Sequence, residues 1–467
     1  MVPSVLLCFY KLASDPTKTT LFDNQIKTDV ASIKSSVIQS GYKTRLAVVL
    51  LAESSASSMD GVQDRIEAIR KGCGIDSKSL FLIPPSQSAE ELERVAENML
   101  TTLYPVAVDY YRDLGRHARK KRGRGAAPQP TIPPTSGTSQ TLSLAGWNTR
   151  YDFKSAVFAE FRAESDTALR CYEQAYDSLL GPELLEAIPS WSPRWNEARL
   201  LADVISVRSI SCLLRGGQYS AAVRRWQTHR DRIADIVDRR GRGTNNYGWK
   251  AWEARWTLVM AGLVEKASVA DFAPSTHTLF LQPEKAVMAE RLQPWEFLHH
   301  PGYWYRLAAK HLHARRALAQ AIPDDDRKPP SFSPASQVAS KAFTYDTYMC
   351  PDPHEEYPLS GQSSGVDHSG MIVDCLARAR SEFLKRQQMR LGVELSLECA
   401  RELAGAKNWQ GIVDLLRPVW KNMPFRAEGW LGITEDLGWT LRGAAAMVGE
   451  ASLVLAIDWE LLHKCMA

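Results

Sequence analysis

The first 118 residues alternate between short apolar runs and segments with helical spacing. Nearly continuous apolar runs of this length are typical of strands covered on both faces, as in a parallel sheet. Between the runs, apolar residues recur at the three-to-four-residue interval of a helix. The predicted strands are SVLLCFY (4–10), RLAVVLL (45–51) and SLFLIP (79–84), and the predicted helices span about 20–40 and 59–72.

A third helix is predicted to begin after Ser88. Ser88 and Glu91 match a capping box, in which the serine caps the helix and the glutamate reaches back. Pro105 should kink this helix or end it near Tyr104, because proline lacks the N–H that an inner turn requires. The order βαβαβα predicts a small α/β domain with a parallel sheet and right-handed crossovers over residues 1–118.

The chain from residue 143 onward is almost wholly helical in pattern. Before it, GAAPQPTIPPTSGTSQ (125–140) has the composition of a flexible linker. Within it, a stretch rich in Pro, Ser, Asp and Gly predicts a mobile insertion. The predicted divisions are the α/β domain (1–118), a basic and Pro/Ser/Gly linker (119–142), a first solenoid part (143–320), the insertion (321–370) and a second solenoid part (371–467).

Three helical segments share an alternation of small and large residues typical of tetratricopeptide (TPR) hairpins. They are ALRCYEQAYDSLL (168–180), GGQYSAAVRRW (216–226) and ARELAGAKNWQGIVDLL (400–416). Two antiparallel helices approach closely only where one supplies small residues and the other inserts a large one. Ala168, Tyr172 and Ala175 follow this order, and Ala156 and Ala163 supply small side chains upstream. Because each hairpin leaves an apolar face uncovered, the sequence predicts a mainly α protein with a TPR-like α-solenoid.

The segment GWNTRYDFKSAVFAEFR (146–162) is unusually rich in aromatic residues. A ligand cage or a catalytic cage is one interpretation, and a helical packing face is the other. The rings fall on adjacent strips of one helix, so the packing face of the first hairpin is the preferred interpretation. The aromatic residues concerned are Trp147, Tyr151, Phe153, Phe158 and Phe161.

Composition indicates a globular protein, with 45% hydrophobic and 24% charged residues among 467. The net charge of +4 is small for this length, so bulk charge does not indicate a nucleic-acid binder. The eight cysteines form no CxxC pair and no disulfide framework, which favours reduced thiols in the cytosol. No stretch approaches the ~20 apolar residues of a membrane span, so any membrane contact should be peripheral.

The run RDLGRHARKKRGR (112–124) concentrates positive charge. It could contact an acidic partner, anionic lipid or nucleic acid, or it could be a solvated helix end whose basic residues suit the helix dipole. No aromatic residues interleave it, so nucleic acid is not expected. The candidate partner or lipid contacts are Arg116, Arg119, Lys120, Lys121, Arg122 and Arg124.

Motifs for catalysis or cofactor binding are not found in the sequence. Neither GxGxxG nor a P-loop follows the predicted strands, and no Ser lies in GxSxG. The histidines His299, His300, His311 and His313 are poorly spaced for a metal site. We therefore predict no catalytic residues, no cofactor and no metal. An α/β nucleotide-binding enzyme with a helical accessory domain and a membrane-surface adaptor acting through 112–124 remain as alternatives.

The segment SLAGWNTRYDFKSAVFAEFRAESDTALRCYEQAYDSLL looks like the signature of the foie gras domain family, found in subunit eleven of trafficking protein particle (TRAPP) complexes. The resemblance continues through YGWKAWEARWTLVMAGLVEKA and HHPGYWYRLAAKHLHARRALA. The strand segments SVLLCFYKL, TRLAVVLLAE and SLFLIP are similar to the α/β part that precedes this domain in the family. Several separated blocks therefore carry the resemblance over most of the chain.

The resemblance implies a scaffold subunit of a vesicle-tethering complex rather than an enzyme. Its implied partners are other TRAPP subunits and, indirectly, a Rab-type small GTPase, which the assembly activates in ER-to-Golgi traffic and autophagy. The implied location is cytoplasmic, peripheral at ER–Golgi intermediate and Golgi membranes. Proteins of the family continue into β-sandwich modules, whereas this chain stops at Ala467. A fragment or a truncated gene model is therefore expected.

Overall fold

The chain forms two compact units, Met1–Leu184 and Leu185–Ala467. It is mainly helical, with a small α/β part at its N-terminal end, as the sequence predicts. The structure is a computed structural model. It describes residues 3–12, 19–52, 59–84, 88–125, 143–189, 192–239, 243–267, 269, 297–321, 366–423 and 431–465.

A three-stranded parallel sheet forms the N-terminal part of the first unit, in the order β1-β2-β3. The strands are β1 (Val5–Leu12), β2 (Arg45–Ala52) and β3 (Leu80–Ile83), and helices α1 (Thr19–Gln39) and α2 (Met59–Cys73) connect them. Val48 and Val49 of β2 are both inaccessible to solvent although they point to opposite faces. The predicted βαβαβ order and the covered central strand are thus confirmed.

β1 departs from the prediction that every strand is covered on both faces. Leu12 belongs to the core that packs against α1 and α2, whereas Leu7 and Phe9 are exposed. The reason is that β1 is an edge strand and alternate residues of a strand point to opposite faces. An uninterrupted apolar run therefore does not distinguish an edge strand with one open face from a central strand.

α3 (Ala89–Arg122) continues through Pro105, so the predicted alternative that it ends near Tyr104 is wrong, whereas the alternative of a kink at Pro105 stays a prediction. Its start agrees with the sequence, since Ser88 Oγ accepts a hydrogen bond from the Glu91 backbone N–H at 3.2 Å. Pro105 removes one hydrogen bond of the helix, but buried residues on both sides of it anchor the same face. These residues are Met99, Leu103 and Tyr110.

The hairpin of α4 (Leu144–Phe161) and α5 (Ser165–Leu180) completes the first unit and packs through α4 on α3. Ala156 and Ala168 have no accessible surface, which confirms that small residues allow the helices to approach. Ala163 does not serve this purpose, because α4 ends before it. Ala163 instead forms the turn with a φ of 59°, a left-handed conformation uncommon for residues other than glycine.

The second unit consists of helices that pack largely on their neighbours in sequence. The turn between α6 and α7 contains Gly217 with a φ of 71°, and the turn between α11 and α12 contains Lys407 with a φ of 57°. Both predicted hairpins in this unit are therefore confirmed. The helices are α6 (Pro193–Arg215), α7 (Tyr219–Arg239), α8 (Tyr247–Ala267), α9 (Pro301–Gln320), α10 (His368–Lys385), α11 (Met389–Gly405), α12 (Trp409–Lys421), α13 (Leu431–Val448) and α14 (Ala451–Cys465).

Tryptophans join successive helices of the second unit. Trp226 of α7 and Trp256 of α8 each donate an indole N–H to the backbone carbonyl of the other, at 3.3 and 3.2 Å. The Trp226 ring also meets Trp304 of α9 edge to face, with centroids 5.0 Å apart. Indole suits these positions because it fills a large space and still satisfies its polar N–H.

Parts of two predicted segments lie outside the described residues. They are positions 126–142 of the linker and 322–365 of the insertion. Within the described ranges, no helix is long and apolar enough to cross a membrane.

Candidate functional site

The four histidines considered as metal ligands have separate partners. His299 contacts Tyr303, His300 accepts the Gly302 N–H, His311 lies near Glu253, and His313 lies near Arg316 and Glu402. Across the described ranges, no group of three His, Cys, Asp or Glu side chains is arranged to hold a metal ion.

The arrangement most like a catalytic pair is His229 of α7 with Asp203 of α6. His229 Nε2 lies 2.8 Å from Asp203 Oδ1, and the Trp252 indole N–H donates to Asp203 Oδ2 at 3.1 Å. His229 is wholly buried, and the ring of Trp256 lies 4.6 Å from its ring. Burial lowers the pKa of His229 although Asp203 opposes the shift, so the ring is neutral. This buried pair joins α6, α7 and α8.

The basic residues singled out in the sequence form the last turns of α3 and the residues just beyond it. Arg116 Nη1 lies 3.1 Å from Asp113 Oδ1 on the same helix, and Arg122 pairs with Asp152 of α4. Arg119 has no ion-pair partner in the described part of the chain. All six side chains are exposed, namely Arg116, Arg119, Lys120, Lys121, Arg122 and Arg124.

A cavity of about 190 Å³ with polar and apolar lining lies where α3, α4 and α5 meet. Each helix contributes residues spaced three or four positions apart, which places them on one helical face. The cavity residues are Gly115, Arg119 and Arg122 of α3, Asp152 and Ser155 of α4, Arg162 after α4, and Thr167, Cys171 and Gln174 of α5. Two of the six predicted basic residues therefore line the cavity. Arg116, Lys120, Lys121 and Arg124 do not.

Arg162 is held in the cavity wall by hydrogen bonds to Glu164 and Tyr111. Its Nε and Nη2 donate to the two carboxylate oxygens of Glu164 at 2.8 and 2.7 Å, and its Nη1 donates to the Tyr111 carbonyl at 3.1 Å. Gly115 leaves room for it, because a Cβ there would lie 3.1 Å from Arg162 Nη1. The hydrogen bond from Arg162 lowers the pKa of Glu164 despite burial. The guanidinium is thereby fixed in place with its charge intact.

The thiol of Cys171 also faces the cavity, which raises the question of a nucleophile. Burial, followed by the nearby Asp152 carboxylate, raises the pKa of Cys171. The thiol is therefore protonated at neutral pH, and only the thiolate is a strong nucleophile.

The aromatic residues of the α4 segment pack against α3 and α5. Trp147 and Tyr151 are buried with ring centroids 4.6 Å apart, and they form a cluster with Ala118 of α3 and Phe158. Phe161 is 42% exposed, but its ring lies 4.9 Å from Tyr111 of α3. On α5, Ala168, Tyr172 and Ala175 are wholly buried, and the Phe153 ring lies 6.0 Å from that of Tyr172.

The sequence alone did not single out several residues of the cavity. Asp152, Ser155 and Arg162 lie inside the segment chosen for its aromatic residues, and Cys171 and Gln174 lie inside a TPR-like pattern. The three-residue spacing of polar side chains is a sequence signal for a shared helical face. Asp152 and Ser155 share a face of α4, and Cys171 and Gln174 share a face of α5. The convergence of those faces depends on how three helices pack.

Two protein families match separate parts of this chain. The model of the Foie gras liver health family 1 matches residues 194–464, which is more than half of the chain. The chain belongs to this family. The Trafficking protein particle complex subunit 11 N-terminal domain matches residues 1–92, which contain the three strands. The aromatic segment at 146–162 lies between the two matches.

Curated relatives align with almost the whole chain. Proteins named trafficking protein particle complex subunit 11 from Bos taurus, Gallus gallus and Homo sapiens are each 21% identical over 482 aligned residues. Each alignment covers 99% of this chain and 38% of the relative, so the chain spans well under half of the relatives' length. The chain therefore combines a foie gras family region with an N-terminal region that is similar to the N-terminal domain of subunit 11.

Proposed function

We propose that the chain is a non-catalytic scaffold subunit of a multisubunit vesicle-tethering assembly of the TRAPP type. The observation that carries the proposal is the alignment of 99% of the chain with TRAPP subunit 11 proteins. Two family matches in the same chain, at 1–92 and 194–464, support the same assignment.

The helical architecture supports a scaffold role. Consecutive helices in a solenoid produce long surfaces that suit partner proteins. Some buried ionisable groups of the second unit join neighbouring helices, as His229 and Asp203 do. Glu253 is a second example. Its burial favours the neutral acid, but hydrogen bonds from His311 and Lys250 outweigh burial and lower the pKa of Glu253 to about 2.

In this proposal, the chain is a peripheral arm of the assembly and nucleotide exchange occurs on other subunits. The assembly would activate a Rab-type small GTPase in ER-to-Golgi traffic and autophagy. The arm would act on the cytoplasmic side of ER–Golgi intermediate and Golgi membranes. Its direct partners are other subunits, and its contact with the GTPase is indirect.

Size fractionation at native abundance tests the proposal. A tagged chain expressed from its own promoter should elute in a high-mass fraction together with TRAPP-type subunits. Elution at the mass of the free chain, together with thermal stabilisation by a nucleotide, would contradict the scaffold role and favour the α/β enzyme. The segments after β1 and β2, where a parallel sheet binds ligands, are residues 13–18 and 53–58, which lie outside the described residues.

A further inference from the structure

Buried polar atoms without partners mark the cavity between α3, α4 and α5 as a binding site. Asp152 is 3% exposed, and its Oδ1 pairs with Arg122 while its Oδ2 has no hydrogen-bond partner among the described residues. The buried Ser155 Oγ, one helical turn further along α4, likewise has none in the part of the chain that the structure describes. A buried polar group without a partner is costly, and more so when it carries charge. Both atoms belong to residues that line the cavity, where a ligand could satisfy them.

Positive charge exceeds negative charge in the cavity lining. Arg119, Arg122 and Arg162 face it together with the single carboxylate of Asp152. Arg122 is engaged by Asp152, and Arg162 is held by Glu164, which lies outside the lining. Among the described residues, no hydrogen bond or ion pair engages the Arg119 guanidinium, although its charge acts on nearby Glu164, so its donors can reach a ligand. Guanidinium groups bind phosphate oxygens through paired, charge-assisted hydrogen bonds.

The size and the mixed polarity of the cavity restrict the ligand further. One water takes about 30 Å³ of liquid, so the cavity of about 190 Å³ holds about six water-sized groups. That is enough for a phosphate group and the first atoms of the skeleton that bears it. The arginines require anionic oxygens, whereas Asp152 Oδ2 requires a donor such as a hydroxyl group.

We propose that this cavity binds the phosphate monoester of a hydroxylated carbon skeleton, such as an inositol or sugar phosphate. Arg119 and Arg162 donate to the phosphate oxygens. A neighbouring hydroxyl of the ligand donates to Asp152 Oδ2, and Ser155 Oγ completes the set as donor or acceptor. The same chemistry is present in a soluble polyol phosphate and in an inositol lipid headgroup. The site is independent of the proposed scaffold role.

Other ligand classes fit the cavity less well. Three arginines repel a metal cation, and one carboxylate supplies too few oxygen ligands for calcium or magnesium. A nucleobase would need an aromatic side chain on which to stack, and none of the described residues that line the cavity is aromatic. A bare anion would leave the buried Asp152 oxygen without a donor.

Calorimetric titration of the full 467-residue chain tests the proposal. The probes are inositol monophosphate, inorganic phosphate and free inositol. We expect inositol monophosphate to bind more tightly than inorganic phosphate and free inositol not to bind. No binding of inositol monophosphate, or equal binding of inorganic phosphate, would overturn the proposal.

Substitutions locate the binding. Arg119→Gln should weaken binding of inositol monophosphate by about tenfold or more, because it removes charge-assisted hydrogen bonds. Lys120→Gln is the matched control, since it removes a neighbouring charge that does not line the cavity, and it should change binding by less than about twofold. Equal losses of affinity in the two variants would indicate attraction by surface charge and would contradict binding in the cavity. If Arg119→Gln does not fold, Gln174→Glu tests whether the ester binds in the cavity. This substitution brings a carboxylate into the cavity with almost no change of volume, so it should also weaken binding.

Vesicle sedimentation distinguishes the two sources of the ligand. Phosphatidylcholine vesicles with and without phosphatidylinositol monophosphate are compared for wild type and Arg119→Gln. Sedimentation that requires both the inositol lipid and Arg119 assigns the site to a lipid headgroup. Binding of the soluble ester without vesicle binding assigns it to a soluble polyol phosphate, and both results support the site. Vesicle binding that persists in Arg119→Gln at the wild-type level, with no binding of the soluble ester, would contradict it.

Discussion

The Trp147 indole N–H donates a hydrogen bond to the backbone carbonyl of Lys121 at 2.9 Å. This contact joins the first turn of α4 to the last turn of α3, across 26 positions of sequence. The Arg124 backbone N–H also donates to this carbonyl at 3.3 Å, so the indole links the two helices through an acceptor that already has a partner. The same ring packs against Tyr151 and Ala118.

Trp147→Phe should lower the free energy of unfolding of the first unit by about 1 kcal/mol, the usual net contribution of one hydrogen bond. The phenyl ring keeps most of the packing but has no N–H to donate. Trp147→Ala should cost more, about 3–5 kcal/mol, because it also leaves a cavity. Amide hydrogen exchange of α4 and denaturant unfolding measure both effects. Equal stability of wild type and Trp147→Phe would show that the hydrogen bond does not hold the helices together.

Phe158→Asp should unfold or detach the α4–α5 hairpin, at a cost of about 3 kcal/mol, because it places a charge among aromatic rings. The Phe158 ring stacks on Tyr111 with centroids 6.2 Å apart. Phe161→Asp is the comparison variant, since Phe161 is 42% exposed although its ring also contacts Tyr111, and it should cost less, about 1–2 kcal/mol. Circular dichroism measures whether the variant folds, and co-purification measures whether it still binds partners. A soluble, well-folded Phe158→Asp protein that still assembles would disprove the packing role.

Acid should destabilise the second unit through His300. His300 Nδ1 accepts the Gly302 backbone N–H at 3.2 Å and so caps α9, and its ring meets Phe383 edge to face at 4.6 Å. Burial, followed by the nearby Arg386 cation, lowers the pKa of His300 to about 4. The unfolded chain binds the proton near pH 6.5, so the stabilisation is complete above that pH and is lost as the pH falls toward 4.

His300→Asn isolates this effect, because asparagine also caps a helix but does not titrate. Between pH 6.5 and 4, the variant should lose up to about 3 kcal/mol less stability than wild type. Denaturant midpoints measured across this range give the comparison, and His117→Asn at an exposed position of α3 is the matched control. Parallel pH profiles for wild type and His300→Asn would contradict the account.

Pro105→Ala should raise the free energy of unfolding by about 1–2 kcal/mol. Alanine restores a backbone N–H within the continuous helix α3 and has a much higher helix propensity. The greater freedom of alanine in the unfolded chain reduces the gain. Thermal unfolding of the first unit measures the change. A lower melting temperature would show that the structure around the proline depends on it.

The main elements were predictable because each depends on local pattern. The apolar runs around Val48 and Leu82 predicted strands, and the small residues Ala168 and Ala175 predicted a close helical hairpin. Errors arose where packing at a distance decides the result. The buried residues on either side of Pro105 keep α3 continuous, and the edge position of β1 leaves Phe9 exposed.

The candidate cavity was only partly predictable for the same reason. Arg119 and Arg122 belong to the basic run 112–124, but their charge does not distinguish them from Lys120 or Arg124. What distinguishes them is that Asp152 and Ser155 of another helix lie opposite, with buried atoms that lack partners. Such a relationship depends on the packing of α3 against α4, which no short motif encodes.

Affinity purification of the tagged chain at native abundance, combined with chemical cross-linking, tests the central claim most directly. The scaffold account predicts that TRAPP-type subunits are recovered in fixed proportion and that reproducible cross-links join them to this chain. Recovery of the chain alone, with cross-links only within itself, would contradict the account.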